Sequence, residues 1–299
     1  MRISDDARKC VVFLGICDPS GDADKFEPKA TAFLIRQPEL SDAFYLVTAK
    51  HCVERGIPFW LRINTLGGAA VQLLEDPDWV FHDDPDVDVA ILEYEPPADA
   101  DFTSWKNGGI SESRLALGDI GPGDLTYTVG LFLRHYGKTK NLPLVHSGHI
   151  AAFSRDEKIE IPDWEDQTGV KRKLIDAYVV QCSVLPGASG SPVFVRKPIG
   201  AADENHTHDA SGKTVQWKRV PPKAYGAVFL LGLWHGSWED GTGRYPAGYG
   251  IVIPAQKILE VLDTPKLKSR RDAAKVDRDS RNAKTLPVAD SYRAIAPDP

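Results

Sequence analysis

An all-β chain of two six-stranded antiparallel barrels, followed by a C-terminal helix, is the fold this sequence predicts. Short runs rich in Val, Ile, Leu and aromatic residues recur from Val11 to Pro254, and Gly, Pro and Asp interrupt them. The runs fall into two sets, separated by a connector bracketed by Pro96-Pro97 and Gly121-Pro122-Gly123.

The first set occupies residues 11–16, 31–36, 44–48, 59–63, 71–74 and 87–94. The second occupies residues 125–132, 144–153, 158–161, 177–184, 191–195, 225–234 and 248–253. Residues 255–262 change period, with Ile258, Leu259 and Leu262 on one helical face. The expected domains are residues 1–110, residues 111–263 and a charged tail over 264–299, extended or partly disordered because it is nearly free of aromatics. Residues 200–223 read as a polar insertion loop.

With 299 residues and 42% apolar content the chain can bury a sizeable core. Its net charge of −6 divides unevenly: the tail holds nine Lys/Arg against five Asp, a net +4, which leaves the body at −10. A nucleic-acid partner would have to act through the tail alone, and the Asp residues there dilute its field. No run approaches the roughly 20 apolar residues of a membrane span, and Met1 to Lys9 lacks a secretory leader. The expectation is therefore a cytoplasmic protein with no membrane association and with Cys10, Cys17, Cys52 and Cys182 reduced.

Three segments carry chemistry. Gly187-Ala188-Ser189-Gly190-Ser191-Pro192 can present a serine hydroxyl beside convergent backbone N–H groups; Thr48-Ala49-Lys50-His51-Cys52 supplies an imidazole; Asp88-Val89-Ala90-Ile91-Leu92 supplies a carboxylate. Serine is a weak nucleophile at neutral pH unless an imidazole takes its proton and a carboxylate fixes that imidazole's tautomer. His51 and Asp88 lie 37 residues apart and Ser189 a further 101 along, so only a fold that joins both halves can assemble them. Asp86 is a rival to Asp88 on the same strand face, less favoured because Asp88 directly precedes the apolar run.

The order His, Asp, Ser and the words around each resemble the trypsin-like (chymotrypsin-fold) serine peptidases over roughly residues 8 to 262. Within that family, Val145-His146-Ser147-Gly148-His149-Ile150 and Gly248-Tyr249-Gly250-Ile251-Val252-Ile253-Pro254 resemble strands of the bacterial HtrA-type peptidase domains, here without their PDZ modules. The resemblance implies a serine endopeptidase needing no cofactor, with His51 as base, Asp88 as orienter, Ser189 as nucleophile and the Gly187 and Ser189 amides as oxyanion hole. It places Ser183 and Val184 near the base of the primary pocket and residues 231–237 along one wall. Whether Trp234 or His235 faces the pocket depends on a one-residue register, with Gly236 beside them. With no acid on the pocket floor, a small or medium apolar side chain is the expected preference. Ala188 replaces the aspartate with which secreted digestive relatives capture a new N-terminus, so the oxyanion loop must be ordered by packing or by an activating protein partner.

Two other readings stay open: a peptide-binding scaffold on the same fold, and a latent peptidase. His206-Thr207-His208 with Asp203, Glu204 and Asp209 has the composition of a metal site but reads as a polar surface loop, and no metal is assigned.

Overall fold

The structure, a computed structural model, describes residues 3–36, 43–54, 59–106, 120–154, 157–163, 171–183, 186–196, 207–208, 214–216, 228–239 and 246–285. The N-terminal half is built from β1 (Val11–Ile16), β2 (Glu27–Arg36), β3 (Phe44–Thr48), β4 (Trp60–Thr65), β5 (Gly68–Leu73), β6 (Val80–Phe81), β7 (Ala90–Tyr94) and β8 (Trp105–Lys106). They form one sheet in the order β5-β4-β1-β2-β3-β7-β6, with β8 added in parallel to β2. The chain continues through β9 (Leu125–Gly130), β10 (Leu144–Phe153), β11 (Ile159–Pro162), β12 (Arg172–Ile175), β13 (Tyr178–Gln181), β14 (Pro192–Arg196), β15 (Thr207–His208), β16 (Thr214–Gln216), β17 (Val228–Glu239) and β18 (Pro246–Pro254). Six of these close a barrel in the order β10-β13-β18-β17-β14-β9.

The closed C-terminal barrel and the helix Ala255–Leu262 stand where the sequence places them. The N-terminal half differs: its eight strands follow an open pairing path among the described residues rather than a six-stranded closure. Its end strands offer little to close with, since β6 has two residues and β5 opens on Gly68-Ala69-Ala70.

Period-2 alternation explains why these strands read as almost unbroken apolar runs: both faces are buried. Along β1, Val12 and Leu14 point into the interior of the N-terminal sheet with Leu34, Leu46 and Leu92. Val11 and Phe13 point the other way, into a core that also holds Tyr127, Val129, Phe194, Leu233 and Ile253 of the C-terminal half. The closed barrel has its own interior of Ile150, Val180, Val193, Val195, Leu231, Trp234 and Val252.

Polar contacts reinforce the seam. The buried Arg62 guanidinium on β4 donates to Asn141 Oδ1 at 2.7 Å and to the Lys138 carbonyl at 2.6 Å. Asn141 returns a bond from Nδ2 to the Arg62 carbonyl at 2.7 Å.

The charged tail is not extended where it is described: Pro265–Thr285 is a helix. Proline at its first position suits a helix start, and Leu267 and Arg271 are buried on one face. Arg271 donates to the Leu262 carbonyl of the preceding helix, while Lys266 and Arg270 both pair with Asp78. Charge density alone therefore misreads this segment, because its few inward residues suffice to dock it.

Candidate active site

The site forms where the N-terminal sheet meets the C-terminal barrel. His51 lies in a one-turn helix, Lys50–Val53, directly after β3, and Asp88 in the turn before β7. Because β3 and β7 are paired, Thr48 opposite Ala90, the two side chains emerge at one end of adjacent strands. Asp88 Oδ1 accepts from the His51 backbone N–H at 2.9 Å, and Oδ2 meets His51 Nδ1 at 2.7 Å. Asp86 turns away to Lys173, 3.6 Å distant.

Ser189 sits in a tight turn ahead of β14. Ser191 N–H donates to the Ala188 carbonyl, 2.8 Å away, and Gly190 N–H donates to the Trp234 carbonyl at 2.9 Å. A threonine from the other half completes this loop's anchorage. On β2, Thr31 N–H donates to the Ser189 carbonyl at 3.0 Å, and the Thr31 hydroxyl donates to the Gly187 carbonyl at 3.0 Å while accepting from Leu131 N–H at 2.9 Å. The Thr31 carbonyl accepts in turn from Thr48 Oγ1 at 2.7 Å. Gly190 needs to be glycine: its φ is +81°, and a Cβ there would overlap the Thr31 carbonyl and Thr48 Oγ1. Gly187 also lies at positive φ, +101°.

β17 passes behind this loop and bulges between Trp234 and Gly236. The extra residue re-aims a side chain, as bulges beside active sites do. Trp234, 2% exposed, packs over Gly250 inside the closed barrel and so has no surface with which to line a pocket. His235 turns toward Asp88 and His51 instead. Its buried Nδ1 hydrogen-bonds Asp88 Oδ2, and its carbonyl accepts from Ser189 Oγ at 3.4 Å. The His51 and His235 rings meet edge to face with centroids 5.5 Å apart. His51 Nε2 lies 3.6 Å from Cys52 Sγ.

Two imidazoles on one carboxylate oxygen set the electrostatics. Burial opposes charge on Asp88, yet the His235 and His51 hydrogen bonds prevail and hold its pKa well below the usual carboxylate range. For His51, burial disfavours the cation, but the Asp88 hydrogen bond and the Cys52 contact outweigh it and raise the pKa above its ordinary 6.5. His235 moves the other way, since burial dominates over Asp88 and keeps it neutral.

Of the residues the sequence singles out, the fold brings together His51, Asp88, Ser189, Gly187 and His235. Gly236 follows the bulge, partly buried, and Ser183 is exposed at the end of β13. Val184 and His206 lie outside the described residues. Sequence reasoning missed the two roles of His235, treating it as a wall residue, and missed Thr31. A hydroxyl inside the apolar run Ala30-Thr31-Ala32-Phe33 is the available signal for the latter; nothing local marks the former.

The trypsin-like peptidase domain family matches residues 30–197, more than half of the chain. The chain belongs to the trypsin-like peptidase family. Among solved structures, the apo MamO protease domain from Magnetospirillum magneticum is 16% identical with a TM-score of 0.51, over 87% of this chain and 98% of that one. The active form of the Rv3671c protease from M. tuberculosis is 18% identical with a TM-score of 0.45, over 86% and 80%. The first of these likenesses supports the fold. No curated protein matches the chain.

Proposed function

We propose that this trypsin-like peptidase domain is a serine endopeptidase that hydrolyses peptide bonds through an acyl-enzyme. The observation that carries the reading is the 2.7 Å contact of His51 Nδ1 with a buried Asp88, beside a tight turn presenting Ser189. Ser189 attacks the peptide carbonyl, His51 Nε2 takes its proton and returns it to the leaving amine, and Asp88 stabilises the imidazolium between those steps. The Gly187 and Ser189 amides receive the oxyanion. Substrate adds as an extended strand along β17, which runs past its last pairing with β14 at Leu233 on to Glu239. The four free thiols accord with a reducing compartment such as the cytoplasm.

A latent form of the same enzyme has support of its own. At rest the Ser189 hydroxyl is bonded to the His235 carbonyl, while His51 Nε2 contacts Cys52. Activation then consists of a rotation of the serine toward His51, favoured by substrate or by a protein partner.

The test is covalent labelling with a fluorophosphonate. The purified full chain should react and Ser189→Ala should not, with its thermal melt unchanged. Labelling of Ser189→Ala at the parent rate overturns the assignment, and reaction only after addition of a cell extract selects the latent form.

A further inference from the structure

Peptidase chemistry asks for one imidazole on the orienting carboxylate, and here there are two. His51 Nδ1 and His235 Nδ1 approach the same atom, Asp88 Oδ2, while Oδ1 is held by the His51 backbone N–H. One ligand atom from each residue lies within 4.8 Å of the others. We infer that His51, Asp88 and His235 form a binding site for a divalent transition metal of the zinc type, and that the ion switches off the peptidase proposed above. The switch rests on that reading; the ion site does not.

The donor set is two imidazole nitrogens and one carboxylate oxygen. Zinc accepts such a set at about 2.0–2.2 Å per ligand, commonly with three protein ligands and a fourth, open position. Around one tetrahedral ion at that radius, neighbouring ligand atoms stand roughly 3.3 Å apart. The 2.7 Å separation of His51 Nδ1 from Asp88 Oδ2 must therefore widen by about half an ångström. His51 can supply that movement, since its side chain is 46% exposed and rides on a one-turn helix. Asp88 and His235 are buried at 8% and 5% side-chain exposure, and because His235 Nδ1 stands closer still to Asp88 Oδ2, this pair must open by more than the His51 side does. The fourth position then faces solvent beside the His51 ring. Asp83 and Asp84, exposed in the approach to β7, raise the local concentration of cations.

Inhibition follows from tautomers. With Nδ1–H directed at Asp88, His51 keeps a lone pair on Nε2, the one that accepts the serine proton. An ion on Nδ1 takes that nitrogen's lone pair, and the ring proton relocates to Nε2. In the neutral ring the Nδ1–H bond breaks and an Nε2–H bond forms, with no change of oxidation state, so the base now presents an N–H where it needs a lone pair. Asp88, bound to the ion, no longer orients the ring. His235 undergoes the same relocation without direct consequence for the reaction.

Cobalt(II) and zinc(II) chloride, added to the full chain after EDTA treatment, are the probes. Cobalt should give the intense visible absorption of four-coordinate Co2+, and zinc should displace it. His235→Asn keeps an N–H donor for Asp88 but removes the ligating ring, and should weaken cobalt binding at least about tenfold; His51→Asn should do the same, and either variant suffices if the other fails to fold. Cys52→Ser should bind as the parent does. A pale six-coordinate spectrum, unchanged affinity in His235→Asn, or loss of binding in Cys52→Ser overturns the site. Zinc should also slow fluorophosphonate labelling in step with site occupancy. Labelling that ignores bound zinc removes the switch, whereas a chain that binds cobalt four-coordinate but never labels in EDTA removes the peptidase reading and leaves the ion site standing.

Discussion

Thr31 donates its hydroxyl to the carbonyl of Gly187, 156 residues further along, at 3.0 Å. The residue expected to offer an oxyanion donor is thus tied to the opposite half of the molecule, and the same hydroxyl accepts from Leu131 N–H. Replacing Thr31 with Val keeps the shape but leaves the Gly187 carbonyl and the Leu131 N–H without this partner. The fluorophosphonate labelling rate should fall about tenfold to a hundredfold, with a stability loss of about 1–3 kcal/mol in urea unfolding. Thr31→Ser should recover most of both. Equal rates for Thr31→Val and the parent would show that the seam does not hold the loop.

Gly190 offers a harsher version of the same test. In Gly190→Ala the methyl group meets the Thr31 carbonyl and Thr48 Oγ1 at a φ of +81°. Labelling should drop below detection while circular dichroism still reports a β-rich fold. An active Gly190→Ala would mean that the two halves separate locally at little cost.

Asp88→Asn removes the acceptor shared by two imidazoles. Loss of the orienting carboxylate typically costs about 10⁴-fold in turnover, and a similar drop should appear in peptide hydrolysis. The buried His235 should then report the change by NMR through a shifted Nδ1–H resonance. A fall below tenfold would assign the orienting role elsewhere.

The pH profile has a sign that follows from the charges. Asp88 raises the pKa of His51 above 6.5, so the base is freed only as pH climbs past that value, and labelling should rise with a midpoint above 6.5. In Asp88→Asn the midpoint should move down. The stability that the His51–Asp88 pair owes to the raised histidine is complete below pH 6.5 and is lost as pH rises through the folded value; the part owed to Asp88 is present above its ordinary 3.8 and is lost as pH falls below it. His235, with its pKa depressed, favours folding above 6.5 and opposes it on acidification. Urea titrations from pH 3 to 10 should thus show destabilisation at both ends, and a flat profile would contradict the coupling.

Asn141→Ala leaves the Arg62 guanidinium buried without one of its two hydrogen-bonded oxygens. Unfolding free energy should fall by about 2–3 kcal/mol, while labelling of the remaining folded protein stays at the parent rate. A neutral effect would show that solvent reaches Arg62.

The His51–Asp88 pair and the Ser189 turn were legible because their neighbours are constrained: Thr-Ala-x-His-Cys sets β3 against a one-turn helix, and Gly-x-Ser-Gly demands a turn at positive φ that a passing β2 strand can approach. The closing helix was legible from its period. What escaped depends on contacts that leave no local mark. His235 reaches Asp88 because β17 bulges by one residue, and the alternation of Leu233, Trp234 and His235 reads the same with or without a bulge. Among the described residues the N-terminal sheet stays open because of which strands pair there, a property of end strands such as β6 that have no pattern of their own. The tail's helix escaped because Leu267 and Arg271 find their partners only once the preceding helix is in place.

Asp78 and His82 flank β6, the strand that pairs with β7 just beyond Asp88. Their described partners are Lys266 and Arg270 for the first and Glu260 for the second. A polypeptide still emerging from the ribosome has made His51, Asp88 and Ser189 long before it has made these clasps or His235. The elements that steady the His51–Asp88 region are among the later ones to be synthesised, so this region gains its clasps only when most of the polypeptide exists.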